Sequence, residues 1–431
     1  MKLLLISDAA QTGFGRVGTE LARRFDAAGV DLRWIAINWG GRAGEVLRLL
    51  QTDAPTEQVT ALLTEIDADP LTPLKLPAGI AGDGMGQNLT APAIRGMIAP
   101  WQGWRPDCVV VVADPRAMLE RAQSDDGAMT EIPTYNYVPI EGGGLPPFWR
   151  IIWERITPVA MSDFGRRELE TLLGRPVPMV PHGISEGFYP ISTDRPGSWK
   201  GKPVYSKDQA KSLLGFAGKT VLLRTDRLVV RKDYPALFRS LAPVLARHPE
   251  VVLVIHCAPI DEGGVLPELL SHVPGAFIID GRWSHPQIRL TRGHDTFRGL
   301  SDDDLNVLYN AADIYVSPTM AEGFGLTLAE AAAVGCPVVT TDYAAGPEAC
   351  GPGAVLVPAR THYTNVYAHE WALVDEDRFG DAVEHLIEHP ARRRELGEAG
   401  RRYVTGRFTW DKAAAAFLEL LGAREEEPAA A

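Results

Sequence analysis

The chain has 431 residues, 45% of them hydrophobic and 23% charged, a globular composition that excludes disorder, collagen and coiled coil. Its 43 Lys and Arg against 55 Asp and Glu leave a formal net charge of -12, which disfavours an extended nucleic-acid footprint held by counterion release while leaving room for a local basic patch. At roughly 100 to 200 residues per domain, the length implies two or three domains with a cleft between them.

Short β-branched runs alternate with helical segments from the start. Residues 3–6, 32–37, 108–112, 135–138, 157–161 and 178–180 read as strands of a parallel sheet. The first run follows a single Lys and ends on a carboxylate, so it predicts a strand rather than a secretory leader. A stretch rich in Pro, Gly and Ser at 189–202 interrupts the pattern and predicts a linker. The alternation resumes at 220–224, 251–256, 287–290, 314–317, 338–340 and 354–357, and 408–421 reads as a strong closing helix before a fraying Glu- and Ala-rich end. The expected organisation is two α/β domains, 1–190 and 206–407, joined by 191–205, with 408–431 packing back on the first domain. Residues 51–104 and 361–371 fit neither series and read as insertions. No apolar run approaches the ~18 residues of a membrane span. Cys108, Cys257, Cys336 and Cys350 lack metal-ligand spacing and predict buried, reduced thiols in a cytoplasmic protein.

Gly13, Phe14, Gly15, Arg16, Val17 and Gly18 match the pattern G-x-G-x-x-G between a strand and a helix. In a dinucleotide site the first glycine turns directly off the strand and an acid ends the second strand. Here Ser7 to Thr12 intervene and the second strand ends at Asn38, so the loop reads instead as a helix N-terminus that lets backbone N–H groups approach an anion or a sugar.

The most informative stretch runs from Ser317 to Val339. A buried strand passes through Glu322, Gly323, Phe324 and Gly325 into a helix that Gly335 and Pro337 terminate. The first helical N–H groups, at Gly325, Leu326 and Thr327, form an anion site suited to a diphosphate. Glu322 and Glu330 lie eight residues apart, roughly 12 Å at helical rise, about the span from a sugar ring across a diphosphate to a ribose. Each carboxylate can accept hydrogen bonds from a vicinal diol. Upstream, Arg227 and Lys232 flank the end of a strand and can neutralise a diphosphate leaving group, with Arg224 and Arg231 competing for these roles.

These residues resemble the retaining, metal-independent glycosyltransferases of the two-Rossmann GT-B fold, specifically glycosyltransferase family 4. Two glutamates separated by seven residues, followed by Ala-x-x-x-Gly-x-Pro-Val-Val, are similar to that family's signature. Arg227 and Lys232 stand in its Arg-Leu-x-x-x-Lys context, Gly13 to Gly15 resemble its first glycine loop, Val180 to Ile184 its end-of-domain segment, and Phe408 to Trp410 the start of its crossing helix. The resemblance implies two Rossmann-like parallel-sheet domains facing each other across a cleft. It gives Glu330 the nucleotide ribose, Arg227 and Lys232 the diphosphate, and Glu322 with the Gly323, Phe324 and Gly325 backbone the donor sugar. The loop from Thr296 to Gly299, with Arg298, falls where the family holds the base, just before a helix that Ser301 and Asp304 read as capping. The family's His after the fourth strand is missing. Asp114 is the nearest equivalent, Glu141 and Arg16 are further acceptor-side candidates, and His182 reads as structural.

The expected reaction moves a glycosyl group from a UDP-, GDP- or ADP-sugar to an acceptor hydroxyl with retention, needing neither metal nor other cofactor. The acceptor would be a sugar, a glycan, a lipid or a modified nucleic-acid base. Replacing Arg227, Lys232 or Glu322 by Ala is expected to reduce turnover by several orders of magnitude at an unchanged melting temperature. The alternatives are a nucleotide-sugar epimerase on the same fold and a catalytically silent sugar-nucleotide-binding protein. Peripheral membrane contact would use a basic face formed by Arg16, Arg23, Arg24, Arg42 and Arg48.

Overall fold

The computed structural model describes residues 1–9, 13–39, 45–46, 56–77, 103–124, 132–291 and 300–422. In the first half the elements are β1 (Lys2–Asp8), α1 (Gly13–Ala27), β2 (Asp31–Ile37), α2 (Thr56–Ala68), β3 (Lys75–Pro77), β4 (Cys108–Val112), α3 (Pro115–Ser124), β5 (Thr134–Val138), β6 (Thr157–Ala160) and α4 (Asp163–Leu173). The strands pair in parallel in the order β3-β2-β1-β4-β5-β6. Every residue of β4 (CVVVV) and β5 (TYNYV) is buried, as both faces of a parallel sheet demand when crossover helices cover it. Helix α1 buries Val17, Leu21, Ala22 and Phe25 on one stripe. A Cβ at Gly18 would meet Ser7 and the Asp8 carbonyl, so the last glycine of the G-x-G-x-x-G run serves close packing of helix on strand.

The second half continues with β7 (Gly197–Trp199), β8 (Lys202–Val204), α5 (Lys207–Leu213), β9 (Thr220–Arg224), α6 (Tyr234–Arg247), β10 (Val251–Ile255), the hairpin β11 (Ile260–Asp261) and β12 (Gly264–Val265), the short helix α7 (Leu266–Leu269), the hairpin β13 (Phe277–Ile279) and β14 (Arg282–Ser284), and β15 (Ile288–Leu290). It closes with α8 (Asp302–Ala311), β16 (Ile314–Ser317), α9 (Leu326–Ala333), β17 (Val338–Thr341), α10 (Gly346–Cys350), β18 (Ala354–Val357), β19 (Ala359–Thr364), β20 (Glu370–Val374), α11 (Glu376–Glu388), α12 (Pro390–Arg407) and α13 (Trp410–Gly422). The second sheet runs β15-β10-β9-β16-β17-β18, again all parallel. Renumbered within each half, both sheets follow 3-2-1-4-5-6, the doubly wound order that opens a crevice at the carboxyl ends of its two central strands. That crevice lies between β1 and β4 in one half and between β9 and β16 in the other.

Several expectations change in detail. Residues 178–180 make only a bridge from Met179 to Ala160, because Pro178 and Pro181 leave little backbone for a ladder. The stretch 189–202 is docked rather than free: the Tyr189 and Ile191 amides donate to Asn306 and Asn310 of α8, and β7 pairs with β8. The 51–104 stretch is not wholly an insertion, since β3 extends the first sheet beside β2; 78–102 and the terminal 423–431 lie outside the described residues. Residues 361–371 form most of an antiparallel hairpin, β19 with β20. The closing helix α13 lies on the first half, where Phe417 stacks edge-on with Phe25 and Tyr137 at 6.1 and 4.9 Å. All four cysteines are buried, and none is in a disulfide among the described residues. Among the described residues no helix is long and apolar enough to cross a membrane.

Candidate active site in the cleft

The loop leaving β9 carries most of the charge. Arg224, fully buried at the end of that strand, donates to the carbonyls of Lys232 and Val316 at 2.6 and 3.2 Å. It therefore braces the loop instead of facing a ligand. Lys232 is 7% exposed and lies between two carboxylates, its Nζ 2.6 Å from Asp226 Oδ1 and 2.5 Å from Glu322 Oε1. Arg231 sits 3.0 Å from Glu322 Oε2 and 2.6 Å from Glu141 Oε1. The result is an alternating run of charge, Asp226, Lys232, Glu322, Arg231 and Glu141, that starts on one sheet and ends on the other half of the chain. Burial works against the charge of Glu322 and Asp226, but Lys232 first, then Arg231 for Glu322 and Arg224 for Asp226, outweigh it and hold both carboxyls below their usual range. Glu141 moves the other way: burial raises it more than Arg231 lowers it. Arg227 lies apart from this run, its side chain 55% exposed and forked onto Asp261 at 2.8 and 3.1 Å.

Helix α9 begins as its sequence demands. Gly325 is its N-cap with φ of 98°, a left-handed conformation that only glycine adopts without strain. The amides that follow, Leu326 and Thr327, have no partner within the helix, and Thr327 Oγ1 donates to Asp226 at 2.9 Å. One turn further on, Glu330 is 4% exposed. Its Oε1 accepts from Arg16 Nη1 and its Oε2 from the Tyr309 hydroxyl, both at 2.7 Å. Burial pushes this carboxyl up to about 7, with Arg16 and the Tyr309 hydrogen bond opposing. Arg16, read from sequence as an acceptor-side residue, thus meets Glu330, and its Nη2 also pairs with Asp302 at 3.1 Å.

The two halves touch closely here. A Cβ on Gly13 would lie 3.9 Å from Leu326, and one on Gly323 would overlap Pro139. Gly15 is buried in the first turn of α1, and Phe324 packs its ring 4.8 Å from His182. His182 itself is buried against the Tyr137 hydroxyl at 2.6 Å, and burial depresses it to about 3, so it is a neutral packing residue. The β19–β20 hairpin spans the cleft: the Glu370 amide donates to the Gly143 carbonyl at 2.7 Å, and Trp371 Nε1 to the Glu141 carbonyl at 2.8 Å. Asp114, the expected stand-in for the family histidine, caps α3 by accepting from the Ala117 amide at 2.9 Å. Glu141 is the N-terminal-half carboxylate that reaches the charged run. Arg298, Arg42 and Arg48 lie outside the described residues.

Residues 264–389, from β12 into α11 and including both glutamates, match the family described as Glycosyl transferases group 1. Over 99% of both chains, the structure is similar to sucrose-phosphate synthase from Thermosynechococcus elongatus, with a TM-score of 0.66 at 16% identity. It is also similar to Anabaena HepE in complex with UDP and glucose, with a TM-score of 0.64 at 16% identity over 98% of this chain and all of that one. The fold is GT-B. In sequence, a stretch of 213 residues is 27% identical to a GDP-mannose-dependent monoacylated alpha-(1-6)-phosphatidylinositol monomannoside mannosyltransferase of Corynebacterium glutamicum, covering 48% of each chain. The chain spans about half the length of such curated relatives.

Within this GT-B fold, Asp226 and Tyr309 are the residues that sequence reasoning missed. Asp226 carries a usable signal, being an acid two residues past a strand-end Arg and six before a Lys. Tyr309 carries none, since a tyrosine on an amphipathic helix reads as core. Elsewhere among the described residues, His248, Glu384 and Glu388 bring ligand atoms within 4.8 Å of one another, but Glu384 already receives the Arg247 fork. Arg23 and Arg24 of the expected basic face pair with Glu20, and Arg24 also with Asp411, so helix α1 offers no unpaired basic stripe.

Proposed function

We propose that the protein is a retaining glycosyltransferase that takes its sugar from a nucleoside diphosphate donor. The observation that carries this reading is the charge run Asp226, Lys232, Glu322, Arg231 and Glu141, buried over its first three members, beside the α9 N-terminus, with Glu330 a turn further along the same helix. A diphosphate placed against α9 meets amides that have no partner within the helix and the cations Lys232 and Arg231, and Arg227 can swing in from Asp261. Glu322 is held ionised and so accepts hydrogen bonds from sugar hydroxyls, while Glu330 lies where a ribose diol would sit. Side-chain cations then supply the charge that stabilises the departing diphosphate. The relatives named above fit a donor of this class, being a GDP-mannose-dependent enzyme and a structure bound to UDP and glucose.

In the step itself the bond from the anomeric carbon to the diphosphate oxygen breaks. The acceptor oxygen bonds to that carbon on the same face, and its proton passes to the departing phosphate oxygen. The nearest N-terminal-half carboxylate, Glu141, is committed to Arg231 at 2.6 Å, so it positions that cation and the acceptor hydroxyl rather than forming a covalent intermediate. Glycans, lipids and other hydroxyl compounds are the acceptor classes to screen. A thermal-shift panel of UDP, GDP, ADP and their sugars, followed by donor turnover with and without chelator, tests the proposal. Stabilisation by one nucleotide and turnover unaffected by chelator are expected; no stabilisation by any of them would overturn it.

A further inference from the structure

Arg16 belongs to the G-x-G-x-x-G run, yet it touches neither the alternating charge run nor the α9 amides. It crosses from α1 to the opposite half of the molecule and divides its fork between Glu330 Oε1 at 2.7 Å and Asp302 Oδ1 at 3.1 Å, with its guanidinium 5.8 Å from the Phe188 ring centroid. On the other side of Glu330, the Tyr309 hydroxyl holds Oε2 and is itself 2.7 Å from that oxygen and 2.8 Å from Thr225 Oγ1. Among the described residues each carboxylate oxygen thus has one fixed partner. An ionised carboxylate has about four acceptor positions, so one on each oxygen stays open, the number a vicinal diol uses.

We propose that Arg16 is a positioning residue of the nucleotide site: from the opposite domain it fixes the orientation and charge of Glu330, so that the ribose diol is read in full only when the cleft is closed. This inference rests on the proposed function, in which Glu330 receives the ribose. Among the described residues, the charged and titratable groups that act on Glu330 are Arg16 of α1, Tyr309 and Asp302 of α8, and Asp226 of the β9 loop. Of these only Arg16 is a cation, and Asp302 and Asp226 both oppose ionisation. When the domains part, Arg16 leaves with α1 and water reaches the carboxylate. When they close on a donor, Arg16 replaces that water and keeps the acceptor form in a site that is otherwise too dry to hold a lone charge.

The test compares a nucleoside diphosphate with its 2′-deoxy form. UDP, GDP and ADP are first titrated calorimetrically into the wild-type protein. The affinities of the best binder and its 2′-deoxy analogue are then measured from pH 6 to 9 for wild type, Arg16→Met and Arg16→Lys. With Glu330 at about 7, the wild-type preference for ribose should rise about fourfold between pH 6.5 and 8.5, following the ionised fraction. In Arg16→Met the preference should fall roughly tenfold at pH 7, the loss of one charge-assisted partner, and return only towards pH 9, while Arg16→Lys should restore part of it. Equal losses for ribose and deoxyribose forms at every pH would overturn the inference, because a merely structural role makes no such distinction. A wild-type protein that binds a nucleotide without distinguishing the two forms would instead remove Glu330 from the ribose, and this inference with it.

Discussion

Replacing Lys232 with Met keeps the length of the side chain and deletes its charge, and the structure fixes what this should cost. The ammonium is the shared partner of Asp226 and Glu322, at 2.6 and 2.5 Å, in a position only 7% exposed. Removing one member of a buried ion cluster typically costs about 3–5 kcal/mol, because the remaining charges stay desolvated. For a cooperative unit of this size each kcal/mol moves the melting midpoint by about 2–4 °C, so a fall of roughly 6–20 °C at pH 7 is expected. The pH dependence has a definite sign. In the wild type both carboxyls are held below their usual range, so their stabilisation is present above the unfolded pKa and disappears as the pH falls through the lower folded values. In Lys232→Met the same carboxyls lose their shared and largest cation and keep only Arg224 and Arg231, so burial moves them up, and the deficit against wild type should shrink between pH 7 and 5 as one takes up a proton. Differential scanning calorimetry at pH 5, 6 and 7 reads both effects. A variant melting within about 2 °C of wild type at pH 7 would refute the buried cluster.

Arg227→Ala should behave in the opposite way: its side chain is 55% exposed and its pair with Asp261 is a surface one, so the midpoint should move by no more than about 2 °C while donor turnover drops on the order of 100-fold. Thermal scans paired with initial rates check both. Glu141→Gln should reduce turnover by at least about tenfold yet leave nucleoside diphosphate affinity within about twofold, since the amide oxygen still accepts from Arg231 while the acceptor side loses its carboxylate charge; equal losses of both would place it in nucleotide binding instead. Gly397→Ala should destabilise by about 1–3 kcal/mol, because the new Cβ would run into the Gly335 carbonyl where α12 crosses the end of α9. A midpoint equal to wild type would show that the helices can separate.

The strands were legible wherever burial on both faces wrote an uninterrupted β-branched run, as in β4 and β10, and the strand, loop and helix from Ile314 to Ala333 was legible because Gly325 and Gly335 mark both its ends. What sequence could not settle was which of four closely spaced cations faces a ligand. Arg224, Arg227, Arg231 and Lys232 are alike in composition. Only the three-dimensional path of the β9 loop separates a brace under the loop, a surface fork on Asp261, and two members of the alternating charge run. The same limit explains why sequence alone assigns one unchanged melting temperature to Arg227 and Lys232 alike, although Lys232 is buried between carboxylates six residues before it and 90 after it. Long-range partners hid Arg16 too: its contact with Glu330 spans 314 positions, and nothing in an N-terminal glycine loop announces it. The hairpin β19–β20 was visible only as a break in the alternation, since its purpose, reaching Gly143 and Glu141, lies across the cleft.

What leaves the donor, and on which face the new bond forms, decide the proposed mechanism. Proton NMR can follow UDP-glucose, GDP-mannose and ADP-glucose incubated with the protein and a panel of acceptor alcohols and sugars, recording both nucleoside diphosphate release and the anomeric coupling of the first product formed. One donor should release its nucleoside diphosphate and give a product with the donor's own α configuration. A β-configured first product, or an isomerised donor with the diphosphate still attached, would contradict it.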